Sequence, residues 1–103
     1  AKINGKLTVS ENVADLGGIA AALEAAKKEA DFSAEEFFTN FARIWRMKAR
    51  TEYMQLLASV DVHAPGKLRT NVQLPNFDEF HKEFDVKEGD GMWRAPEDRV
   101  IIW

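Results

Sequence analysis

The sequence predicts a single, mainly α-helical domain, and three observations point to it. Apolar residues recur at helical offsets, first Leu16, Ile19, Leu23 and Ala26, then Phe37, Phe41, Ile44 and Trp45, with Lys48 continuing the second series. Between the two runs stands Ser33-Ala34-Glu35-Glu36, the capping-box pattern that opens a helix. At 103 residues and 46% hydrophobic, the chain can bury one modest core and no more. The architecture expected is two or three longer helices with a long irregular loop across one end.

Taken in order, Lys2 to Val9 alternates loosely around Asn4-Gly5, a pair favoured in tight turns, so a short extended entry is expected. Thr8 and Ser10 precede the first helix, which should run to about residue 30. Gly17-Gly18 within it costs roughly 1 kcal/mol per residue against alanine. Either a close-approaching neighbour offsets that cost or the helix breaks locally. The second helix starts at Ser33 with a strongly aromatic face. Thr51-Glu52 caps a third segment carrying Tyr53, Leu56, Leu57 and Val60.

From Asp61 to Asn76 the periodicity stops. Pro65-Gly66 and Pro75-Asn76 punctuate a loop in which Leu68 to Leu74 reads as a short strand. Irregular segments this long are disproportionately functional. A last helix, Phe77 to Phe84, puts Phe77, Phe80 and Phe84 on one side, with His81 as a partly buried helix residue. The tail from Lys87 to Trp103 reads as turns with a short extended end.

A net charge of −3 gives no basic footprint for nucleic acid. No apolar run is long enough to cross a bilayer, and no signal peptide is visible. The chain opens at Ala1 instead of methionine, so it is expected to be part of a longer protein. Without cysteine, neither disulfides nor thiolate metal sites are available.

Two constellations could carry chemistry. In Glu11-Asn12-Val13-Ala14-Asp15, two carboxylates share one helical face, roughly 5–6 Å apart at Cβ. One could reach a metal while the other orients a neighbouring ligand. Glu11 could equally complete a capping box with Thr8 or sit solvated in a first turn. In Asp61-Val62-His63-Ala64-Pro65-Gly66-Lys67-Leu68-Arg69, a histidine lies between a carboxylate and an arginine on irregular backbone. That set could bind an oxyanion, or be an ordinary solvated turn. Taken singly, each bland reading is the stronger one.

In this order they are not accidental. Asn4 through Gly18 closely resembles the C-terminal part of neprilysin-like zinc metallopeptidases, as does Phe37-Phe38-Thr39-Asn40-Phe41-Ala42-Arg43-Ile44-Trp45. Val62-His63-Ala64-Pro65-Gly66-Lys67-Leu68-Arg69-Thr70 is similar to the family's His-Ser-Pro-Gly-Lys-Phe-Arg stretch, with Ala64 and Leu68 as substitutions. Gly91-Met92-Trp93 through Trp103 resembles the family's ending. The resemblance implies the helical C-terminal part of a gluzincin-type catalytic domain with a long active-site loop.

It also implies roles for particular residues. The glutamate matching Glu11 is the third protein ligand of a catalytic zinc, and the aspartate matching Asp15 hydrogen-bonds a ligating histidine. The histidine matching His63 stabilises the tetrahedral intermediate, with Asp61 placed to orient its ring. The arginine matching Arg69 binds the substrate's peptide backbone. Ile44 and Trp45 match positions lining the pocket for the residue after the scissile bond. The H-E-x-x-H helix, with two zinc histidines and the general-base glutamate, is absent from this sequence and would lie upstream in the parent protein.

The implied parent is therefore a zinc-dependent endopeptidase acting on oligopeptides, extracytoplasmic, whose remaining catalytic domain is this chain's partner. The isolated chain should be inactive and bind zinc poorly. Many animal members carry cysteines near the positions of Arg46 and of the C-terminus, so the cysteine-free sequence fits a bacterial-type member better. Phe37, Phe38, Phe41, Ile44 and Trp45 should leave an exposed apolar patch and cause self-association. The alternatives are a helical interaction module without catalysis and an inactive homologue kept for peptide binding.

Overall fold

A computed structural model describes residues 2–102. Five α-helices follow one another: α1 (Gly5–Ala26), α2 (Ala34–Ile44), α3 (Thr51–Val60), α4 (Gly66–Asn71) and α5 (Asp78–Glu83). Two 3-10 turns, Leu74–Asn76 and Pro96–Asp98, punctuate the second half. Among the described residues there is no strand, in keeping with the mainly α-helical class.

The entry is helical, not extended. Asn4 acts as the N-cap of α1, its side-chain oxygen accepting from Lys6 N at 3.1 Å and Leu7 N at 3.2 Å. An asparagine that satisfies two orphan donors favours helix over the turn that Asn4-Gly5 suggests. Thr8 consequently lies inside the helix, buried, with its hydroxyl donating to the Asn4 carbonyl. It caps nothing, so the capping-box reading of Glu11 fails, and Glu11 stands beyond the first turn. α1 runs unbroken through Gly17-Gly18 and ends at Ala26, a turn short of the expected end.

Ser33 caps α2 as expected, its hydroxyl accepting from Glu36 N at 3.2 Å. The face that α2 buries differs from the expected one. Phe38 is only 1% exposed and heads a core of Ile19, Leu23, Leu74 and Phe80, while Phe37 and Phe41 flank it, partly buried. Phe38 meets Phe37 and Phe80 edge-on, with ring centroids 5.3 and 5.6 Å apart, the geometry aromatic quadrupoles prefer. The patch expected on α2 therefore shrinks to Ile44, 69% exposed, because the phenylalanines pack into or against the core and Trp45 lies beneath Arg69 of α4. Exposed apolar side chains gather elsewhere, notably Tyr53, Leu56 and Val60 on α3.

α3 begins at Thr51 without a side-chain cap bond. The Leu68 to Leu74 segment is helix and 3-10 turn, not strand. Pro65 ends extended at ψ 150°, and its carbonyl takes the amides of Leu68 and Arg69 at 2.9 and 3.0 Å, so the helix nucleates directly after the proline. α5 ends with Asp85 in the left-handed region, φ 49°, and Val86 N reaching back to His81 O at 2.9 Å. This is a Schellman closure, and it folds Val86 onto the core. His81 is buried more deeply than expected, Nε2 bonding Pro75 O at 2.8 Å.

The tail is tied down by side chains. Asn76 Oδ1 accepts from Arg94 Nη1 at 2.6 Å and from Val100 N at 3.0 Å. Arg99 donates to Asp78 and to the Arg94 carbonyl.

Candidate active site

Three segments far apart in sequence meet along one face of α1. Glu11 and Asp15, one turn apart, point at the α3–α4 loop and at α4, where His63 and Arg69 stand. Gln73 fastens this contact, its amide donating to the Asn12 carbonyl at 2.9 Å.

At the Glu11 end, His63 Nε2 lies 3.4 Å from Glu11 Oε2, with both side chains 42% exposed. The other ring nitrogen, Nδ1, is 3.0 Å from Asp61 Oδ1. The same oxygen accepts the backbone N–H of His63 at 2.9 Å. That backbone hydrogen bond, and then the ring, hold the Asp61 carboxyl below the usual carboxylate range. Asp61 thus fixes both the loop and the ring plane. Both nitrogens can donate at once only in the imidazolium form.

At the Asp15 end, Arg69 Nε and Nη2 donate to the two Asp15 oxygens at 2.7 and 2.8 Å. The pair is well shielded, 16% and 20% exposed. A bidentate fork of this kind combines charge with fixed geometry. The guanidinium also lies over Trp45, its central carbon 3.7 Å from the ring centroid.

Trp45 follows α2 directly, and its carbonyl is where α4 approaches closest. A Cβ on Gly66 would stand 2.5 Å from Trp45 O, so only glycine lets α4 start there. The functional weight of Gly66 lies in this close approach. Sequence reasoning saw it only as loop punctuation. Beside Trp45 opens a cavity of about 370 Å³ lined by Ile44, Met47, Met54, Leu57, Pro65 and Ala64, with Asp61, His63 and Arg69 on its rim. Ile44, Trp45, Asp61, His63 and Arg69 therefore border one cavity, with Glu11 and Asp15 reaching His63 and Arg69 from α1.

Glu11 offers oxygen lone pairs, and its 3.4 Å approach to His63 is too long to commit them. Among the described residues, however, no three His, Cys, Asp or Glu side chains converge to hold a metal. A lone carboxylate can serve a metal only as one ligand among several.

Comparison with known proteins identifies the family of the sequence. The sequence model of peptidase family M13 (Peptidase_M13) matches residues 1–100. The neutral endopeptidase of Lactococcus lactis subsp. lactis is 60% identical over 100 residues, covering 97% of this chain and 16% of that protein. Human neprilysin is 32% identical over 114 aligned residues, covering 98% of this chain and 15% of its own length. A 37-residue stretch, 36% of this chain and 7% of the relative, is 97% identical to a Streptococcus gordonii protein named as a candidate zinc metalloproteinase. No solved structure matches the chain. The chain spans about a sixth of the length of the full-length relatives it matches.

Proposed function

We propose that this chain, which belongs to peptidase family M13, supplies part of the active site of a zinc-dependent metalloendopeptidase that cleaves oligopeptides. The observation that carries the reading is the convergence of Glu11, Asp15, Asp61, His63 and Arg69 beside one apolar cavity. In this reading Glu11 is the carboxylate ligand of the metal, joined by two histidines from the remainder of the catalytic domain. A zinc ion held by such a set would supply Lewis acidity toward water and toward the scissile carbonyl.

The chain's own residues then have separable tasks. His63 donates from Nε2 to the oxygen that becomes negative as the tetrahedral intermediate forms, and Asp61 keeps the ring aimed there. Arg69 takes carbonyl oxygens of the substrate backbone and so sets register. Asp15 already accepts from Arg69 with both oxygens, and each oxygen keeps lone-pair capacity for the ring N–H of a ligating histidine. Ile44 and Trp45 flank the cavity for the side chain after the scissile bond.

The apolar stripe Tyr53, Leu56 and Val60 supports a buried contact with the rest of the catalytic domain. The test is Glu11→Ala in the full-length protein. Loss of both bound zinc and peptidase activity is expected, and zinc content equal to wild type would end the ligand role.

A further inference from the structure

We propose that Trp45 is a positioning residue for Arg69, a platform that fixes the plane of the guanidinium, beyond any service as a wall of the cavity. The proposal rests on the reading of Arg69 as a contact to the substrate backbone. Two hydrogen bonds from Nε and Nη2 to Asp15 hold one edge of the guanidinium. A group held along one edge can still hinge about the line of those two bonds. The indole face, 3.7 Å beneath the central carbon, blocks that hinge from one side. Edge and face together stop the guanidinium from swinging toward the indole and leave the Nη1 edge turned away from Asp15.

The platform is itself held. Trp45 N bonds Ala42 O at 3.2 Å, and its carbonyl packs against Gly66 so closely that no Cβ fits between them. Gly66 lies three residues before Arg69 on α4, so the same close approach sets the height of the arginine above the ring. Trp45 Nε1 is buried with no hydrogen-bond partner among the described residues. The indole's polar atom makes no bond to Arg69, and the ring meets the guanidinium through its face. Phenylalanine should supply most of that face.

The experiment uses the full-length enzyme and peptides differing only in the residue after the scissile bond. Trp45→Leu should add a rise in KM of about tenfold common to all the peptides, on top of any change in their ranking from the altered wall, and Trp45→Phe a common rise of less than about threefold. In an Arg69→Ala background that common rise should all but vanish, because the group that Trp45 positions is gone. A common rise that persists undiminished without Arg69, or a changed ranking of the peptides with no common rise, would mean a wall alone and would overturn the platform. A second readout needs no substrate, namely the rate at which phenylglyoxal modifies Arg69, followed by peptide mass spectrometry. That rate should rise several-fold in Trp45→Leu and stay near wild type in Trp45→Phe, and an unchanged rate in Trp45→Leu overturns the proposal. If Arg69→Ala leaves KM unaltered, the substrate role of Arg69 falls, while the modification rates still decide whether Trp45 holds it.

Discussion

Glu11 and Asp15 stand one turn apart on the same helix, yet the partners they meet are held in opposite ways. Arg69 is shielded, forked onto Asp15 and laid on a ring. His63 is nearly half exposed, 3.4 Å from Glu11, and firmly held only by Asp61. The fork at the first station is made entirely within this chain. The second keeps capacity in reserve, as a site would that awaits ligands from another part of the protein. On the proposed function, preorganisation is thus concentrated where the substrate backbone would be gripped, and openness where a metal would enter.

The largest expected effect tests the open station. In the full-length enzyme, His63→Ala should lower kcat about 100- to 1000-fold with little change in KM, since an oxyanion donor acts in the transition state. Asp61→Asn should give a milder form of the same defect. Intact kcat in His63→Ala, with zinc content verified, would reduce this station to a solvated turn.

The closed station should respond differently. Arg69→Ala should raise KM appreciably, because it removes ground-state binding. Asp15→Ala should cost about 10- to 100-fold in activity or metal affinity. If Asp15→Ala and Arg69→Ala were strictly additive, the fork between them would have no functional weight.

Gly66→Ala probes the joint between the stations. A methyl 2.5 Å from a backbone carbonyl forces α4 away from Trp45, and overpacking of this kind costs about 1–3 kcal/mol. Denaturant unfolding should show that loss, with KM rising as Arg69 leaves its ring. A variant as stable as wild type would mean that α4 docks loosely.

The smallest effect lies away from both stations, at Lys27, which bonds Glu79 and Glu24 and ties the end of α1 to α5. The hydrogen bond to Glu79, then that to Glu24, raises Lys27 above its usual value. Burial works to raise Glu79, but the hydrogen bonds from Lys27 and from its own backbone outweigh it and hold the carboxyl low. A lowered carboxyl stabilises fully above its unfolded pKa, here 4.5, and the gain disappears as pH falls through the folded value. A raised lysine stabilises below 10.5 and loses that gain as pH rises through its folded value. Glu79→Gln should therefore flatten the acid limb of a Tm–pH profile slightly, the pair being partly exposed. An unchanged profile would show that the tie is idle.

Much of this was legible in the sequence where periodicity or a cap is local. Ser33 opens α2 and Phe80 faces inward as the patterns predict. Misreadings arose where a local signal had two meanings. Asn4-Gly5 suits a turn or an N-cap, and the cap won because two amides needed an acceptor. Leu68 to Leu74 alternates like a strand, but Pro65 starts a helix there. Phe38, not the Phe37–Phe41 line, leads the core because α5 approaches from its side, which no local pattern records. The Asp15–Arg69 fork and its ring bridge 54 and 24 residues, beyond what spacing along a chain can reveal.

That 54-residue separation also has a kinetic side. Closing so long a loop must be done before the fork returns any stabilisation, whereas α1, α2 and α3 each gain from neighbours within a turn. The fork therefore belongs to the late side of the folding barrier. Substitutions in it should speed unfolding more than they slow folding. A half-folded chain would carry its helices before it carried a grip on peptide.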